Sequence, residues 1–209
     1  ADKKYGFFQQ DKAFFKEVAE ELGLISNKTG DNIGYERHPL AYLVEAADDI
    51  CYNIIDMEDA HRLGIISTAD CENLFMDLIK SVNEKDAKRS AEKLLLFSNK
   101  NERISYLRAK VINALINKST ELYQQHFSEI IDGTLNKALL DIFKSESESF
   151  QEVERFSIEK IYGHRSVVEI ENAGYNVMYE LLNHFIPPII KEKSERKGFE
   201  KKALQLIPS

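Results

Sequence analysis

Residues 40–63 contain neither glycine nor proline, Pro39 precedes them and Gly64 follows. Proline at a helix start and glycine just past a helix end are the favoured places for both, so the stretch reads as one long helix. Leu40, Leu43, Val44, Ala46, Ala47, Ile50, Ile54 and Ile55 cover most of its circumference with apolar groups. A helix that is apolar nearly all round is expected to be buried. Yet Glu45, Asp48, Asp49, Tyr52, Asp56 and Asp59 recur at spacings of three and four and so project from one side. On a buried helix each such carboxylate costs several kcal/mol, of order, unless a cation or a donor meets it. Two readings stand: a solvated acidic face, or a site in which Asp48, Tyr52 and Asp56 form an acid, phenol, acid ridge with one turn between members.

Strand signals are nearly absent elsewhere, which makes the chain all-α, an irregular multi-helix bundle without a repeat. Asp11 to Leu22 is predicted as an amphipathic helix with Phe14, Phe15, Val18 and Leu22 inward, ended by Gly23. Residues 26–37 read as a loop or short hairpin. Ser67 and Asp70 form a capping box for a helix that turns Leu74, Phe75, Leu78 and Ile79 inward. Further helices are expected over 85–97, 103–125, 127–132, 135–143 and 167–185, the last stopped by Pro187-Pro188, with a final exposed one from Ile189. The run Ser145-Glu146-Ser147-Glu148-Ser149 reads as a mobile linker.

The string Arg37-His38-Pro39-Leu40-Ala41-Tyr42-Leu43-Val44-Glu45-Ala46-Ala47-Asp48-Asp49-Ile50-Cys51-Tyr52, continued by Asp56-Met57-Glu58-Asp59-Ala60, closely resembles the signature of bacterial deoxyguanosine triphosphate triphosphohydrolases of the HD-domain superfamily. Lys4-Tyr5-Gly6-Phe7-Phe8 and Val168-Glu169-Ile170-Glu171-Asn172-Ala173-Gly174-Tyr175 resemble flanking motifs. The resemblance implies an HD-domain-like fold, with residues 1–66 in the HD core and 67–209 as a C-terminal helical region of one portion. It also implies metal-dependent hydrolysis of dGTP, or another dNTP, to deoxynucleoside and intact tripolyphosphate. Asp48 matches the family's last metal ligand, standing four before Tyr52 and eight before Asp56; Asp49 does not. By the same match Tyr52 packs on the deoxyribose and excludes a 2′-hydroxyl, and Asp56 accepts from the 3′-hydroxyl. Lys4 contacts the triphosphate, and Glu171 accepts from guanine donors. Their alternatives are a frayed terminal lysine and a surface acid.

The family's other ligands, a histidine and a His-Asp dipeptide, have no counterpart. Pro, Arg, Phe, Arg and Phe follow His38, His61, His126, His164 and His184. Either the chain is the middle and C-terminal portion of a longer enzyme, or it is a non-catalytic nucleotide-binding or regulatory module of the same fold. A mixed imidazole and carboxylate set suits a divalent metal, Mg or Mn first, with Fe, Co or Ni as alternatives. Which dNTP is preferred is open.

Net charge is −7 with pI near 5.4, which argues against nucleic-acid affinity through bulk charge. Single-stranded DNA remains a partner that the resemblance allows. Cys51 and Cys71 make neither a disulfide framework nor a metal motif and read as core or boundary thiols of a reducing compartment. No membrane span or leader is legible, so a cytoplasmic location is expected. Family likeness and the many amphipathic helices imply a homo-oligomer, with a hexamer as one size. Arg108 and Lys110 are phosphate or interface candidates, or surface charges beside Glu102 and Glu121; His61 and His164 are expected to be structural.

Overall fold

In a computed structural model, residues 7–27 and 34–207 are described. They form ten α-helices and no strand, so the all-α expectation holds. The chain divides into two compact units, Ala1–Ile158 and Glu159–Ser209.

The first unit is organised around α5 (Lys100–Gln125), whose Ile104, Leu107, Val111, Leu115 and Leu122 repeat at helical spacing and are all buried. Against it pack α2 (Ala41–Arg62), α3 (Thr68–Val82), α4 (Glu84–Leu94), α6 (Phe127–Ile131) and α7 (Leu139–Glu146). Helix α8 (Glu148–Phe156) closes on α3 and α7. Helix ends follow local chemistry. Ser67 Oγ accepts from Asp70 N at 3.1 Å, Asn83 caps α4 and Asn99 caps α5 through their side-chain oxygens. Gly64 ends α2 with φ +72°, a left-handed conformation that a side chain would strain. Arg103 grips Glu72 through Nε and Nη2 at 2.5 and 2.7 Å, tying α5 to α3.

Several expectations change. Helix α1 (Lys12–Glu21) forms, but Phe14, Val18 and Leu22 are exposed and only Ala19 is buried. Ser26 and Tyr35 make one antiparallel bridge. Residues 135–138 are not helical; α7 starts at Leu139. The expected linker is instead a helix cap. Ser147 is buried, its Oγ accepts from Phe150 N at 3.3 Å, and Lys144 pairs with Glu154 across the junction. Composition hid α8, because a Ser/Glu alternation reads as linker until one serine is seen to cap.

The second unit holds α9 (Arg165–Ile190) and α10 (Gly198–Leu204), which pack on each other. Helix α9 runs through Pro187 and Pro188 rather than stopping before them. The missing N–H groups fall in its last turn, where only a few hydrogen bonds remain to be lost. Glu200 joins the unit: it accepts from Lys191 Nζ at 2.5 Å and Lys197 N at 2.6 Å, and these bonds hold its carboxyl below the usual range. Among the described residues no helix is long and apolar enough to cross a membrane.

Candidate functional site

Helix α2 buries one stripe, Tyr42, Ala46, Ile50, Ile54, Met57 and Ala60, and leaves Leu43, Val44 and Ile55 exposed. The expected all-round burial is therefore corrected: a four-residue period places one face against α5 and α7, and the opposite face meets water. The Asp48, Tyr52 and Asp56 ridge stands on that opposite face. Asp48 is exposed, Tyr52 has 57% of its surface exposed and Asp56 is half-buried. Successive members lie roughly 6 Å apart along the axis, at about 1.5 Å per residue. Asp48 thus keeps its hydration and Asp56 keeps part of it, so the full burial cost expected for these acids does not arise.

One acid of α2 is buried, and sequence reasoning passed over it. Glu58, with 2% of its surface exposed, accepts from Ser105 Oγ at 2.5 Å, Arg108 Nη1 at 2.9 Å and Arg62 Nη2 at 3.0 Å. Arg108 is accordingly a partner of Glu58 rather than a solvated charge. The signal was present: Glu58 continues the apolar series 42, 46, 50, 54, so it had to enter the core with company. This clamp joins α2 to α5 and sets which way the ridge points.

Near the start of α2 the Tyr42 hydroxyl donates to Leu135 O at 2.6 Å, and Arg37 lies over its ring at 5.4 Å. Burial pushes the phenol above its ordinary value, with Arg37 acting in the opposite sense. Arg37 also reaches Glu45 at 3.5 Å. His61 bonds Thr68 Oγ1 at 3.0 Å and His164 bonds Ser166 Oγ at 2.8 Å, both local structural contacts. Cys51 is exposed, whereas Cys71 is buried. A core role for Cys51 fails because it sits off the stripe that α5 covers.

Among the other candidates, Glu171 lies exposed on α9 in the second unit, and Lys4 lies outside the described residues. Among the described residues no three His, Cys, Asp or Glu side chains come together as a metal site. Asp48 on its own offers one carboxylate, which does not make a centre for a divalent ion. A cleft lined by Lys118, Glu121, Glu146 and Glu148 is built from the end of α3, α5 and the α7–α8 junction and includes no residue of α2.

Comparison with known proteins gives the ridge a context. A Synechocystis protein named deoxyguanosinetriphosphate triphosphohydrolase-like is 33% identical over 196 residues, 94% of this chain and 42% of the relative. A Listeria monocytogenes protein of the same name is 30% identical over 217 residues, 98% of this chain and 44% of the relative. The Salmonella typhimurium deoxyguanosinetriphosphate triphosphohydrolase is 27% identical over 219 residues, 99% of this chain and 41% of its own length. Along nearly its whole length the chain is similar to proteins named for the dGTP triphosphohydrolase family. It spans less than half the length of the curated relatives it matches. No family model matches it. In this chain the signature resemblance falls on α2, the helix that presents the ridge and holds Glu58.

Proposed function

We propose that the chain supplies the sugar-binding part of a dNTP triphosphohydrolase site, with dGTP as the preferred substrate. What supports this is the outward ridge of Asp48, Tyr52 and Asp56 in a chain aligned along 94–99% of its length with proteins of that name. In this reading the Tyr52 ring packs on deoxyribose and leaves no room for a 2′-hydroxyl. Asp56 accepts from the 3′-hydroxyl. Lys4 contacts the triphosphate. The reaction consumes one water, breaks the bond between O5′ and the α-phosphorus, and releases deoxynucleoside and tripolyphosphate. Asp48 is offered as one ligand to a divalent metal, Mg or Mn before Fe, Co or Ni. The described residues do not complete that site. The same reading carries a cytoplasmic homo-oligomer, a hexamer as one size, and single-stranded DNA as a further partner.

A second reading, a non-catalytic nucleotide-binding or regulatory module, is favoured by the lack of a metal-ligand cluster among the described residues. Product analysis separates the two. The Synechocystis relative, carrying this chain in place of its matched 196 residues, is incubated with dGTP or GTP and manganese, and released tripolyphosphate is quantified by ion chromatography. Turnover of dGTP that Asp48→Ala abolishes is expected, with Tyr52→Ala retaining turnover but discriminating less against GTP. A folded chimera that binds dGTP and releases no tripolyphosphate would make the module reading correct.

A further inference from the structure

The buried series on α2 begins and ends with a hydrogen bond to a neighbouring element. At one end the Tyr42 hydroxyl, on a fully buried side chain, donates to Leu135 O at 2.6 Å, just ahead of α7. At the other Glu58, buried too, accepts from Ser105 Oγ at 2.5 Å and Arg108 Nη1 at 2.9 Å on α5. The two residues lie roughly 24 Å apart along the axis, and Asp48, Tyr52 and Asp56 fall between them. At about 100° per residue, Tyr42 and Glu58 also stand roughly 160° apart around the axis, on opposite margins of the buried stripe. A turn of α2 in either sense therefore strains both bonds.

The stripe between them specifies rotation only weakly. Apolar burial has no preferred direction, and of Ala46, Ile50, Ile54, Met57 and Ala60 two are alanine and one is the flexible methionine. Hydrogen bonds are short and directional, so they decide the angle at which the helix settles. That angle matters on the opposite face. A rotation of about 20° carries a side chain standing roughly 6 Å from the axis through about 2 Å. For Tyr52 this separates closing on the 2′ position from leaving space for a hydroxyl, since a misplacement of about 1 Å already spoils such a contact. We infer that Tyr42 and Glu58 are positioning residues: through Leu135, Ser105 and Arg108 they lock the rotation of α2, and so set how strictly Tyr52 discriminates deoxyribonucleotides from ribonucleotides. Both are buried, and neither touches the nucleotide. This inference rests on the ridge as a sugar site and adds the device that aims it.

Tyr42→Phe combined with Ser105→Ala removes a donor from each end and keeps the ring and both arginines, whereas Ile54→Val trims the stripe without touching a hydrogen bond. In the 209-residue chain, nitroxide labels on exposed Cys51 and on Asn113→Cys, an exposed position of α5, report rotation through their separation in pulsed electron resonance. Cys71 is buried and stays unlabelled. One narrow distance is expected for the parent and for Ile54→Val, and a distribution broadened or shifted by about 2 Å or more for the double variant. In the Synechocystis chimera the ratio of kcat/KM for dGTP to that for GTP is expected to fall about 10-fold in the double variant and to hold in Ile54→Val. The inference is overturned by an unmoved distance, by an unchanged ratio, or by an equal fall in Ile54→Val, which would make loss of stability the cause. A parent chimera that releases no tripolyphosphate, or that does not favour dGTP over GTP, refutes the sugar reading itself and with it the specificity role of Tyr42 and Glu58, whatever the distances show.

Discussion

Glu58 keeps its charge out of water because three donors, Ser105, Arg108 and Arg62, meet it within 3.0 Å. Arg62 and Arg108 reach solvent, with 53% and 36% of their side chains exposed, so removing the acid leaves cations that can rehydrate. Glu58→Ala is therefore expected to cost about 2–3 kcal/mol, below the usual range for a broken buried pair. Arg108→Ala should also destabilise, because it strips a donor from an acid that cannot reach water; urea denaturation compares the two. Cys71 and Cys51 give a second contrast at this scale. Burial first, then Glu58, Glu72 and Asp70, push the Cys71 thiol from an ordinary 9.0 to about 12. A raised folded value favours the native state fully below pH 9, and that contribution is lost as pH climbs from 9 towards 12. At pH 8 a thiol reagent should modify only Cys51 in the native chain and both cysteines in urea; rapid native labelling of Cys71 would contradict its burial. The ridge was legible from spacing, since Asp48, Tyr52 and Asp56 do share the outward face. Glu58 was passed over although it continues the buried 42, 46, 50, 54 series, because it sits among acids and two of its three partners lie 47 and 50 residues away.

Helices were read best where their ends carry chemistry of their own. Pro39 and Gly64 marked α2, and Ser67 with Asp70 marked α3. They were read worst where one side chain reverses the meaning of a composition, as Ser147 does when it turns a serine-glutamate run into the cap of α8. Apolar periodicity identified α1 without revealing that Phe14 and Leu22 would stand exposed, because period reports a face and not what lies against it. Turn glycines make the element scale testable. Gly64 and Gly133 share left-handed backbones, φ +72° and +68°, but a Cβ at Gly64 meets nothing within 4 Å, whereas one at Gly133 comes to 3.0 Å from Glu36 Cγ. Gly64→Ala is expected to cost roughly 1–2 kcal/mol through backbone strain, and Gly133→Ala about 1 kcal/mol more because the side chains of Glu36 and Ile25 must shift. Equal shifts in the urea midpoint would show that the contact at Gly133 is immaterial.

As a whole the chain keeps its candidate residues apart: the ridge is on α2 in the first unit, Glu171 is on α9 in the second, and no three metal-ligating side chains meet among the described residues. Titration calorimetry of the 209-residue chain with manganese should accordingly show no tight stoichiometric binding, since a lone carboxylate does not replace a hydration shell. Tight one-to-one binding would mean that acids such as Asp49, Asp56 or Asp59 assemble a site of another kind. Exposed α9 also decides how the chain fares inside a cell. Chaperones and quality-control proteases recognise folding failure by accessible apolar segments, and α9 displays such a segment on a properly formed helix. As long as that helix stays uncovered, the chain is a client of those systems however well its first unit folds.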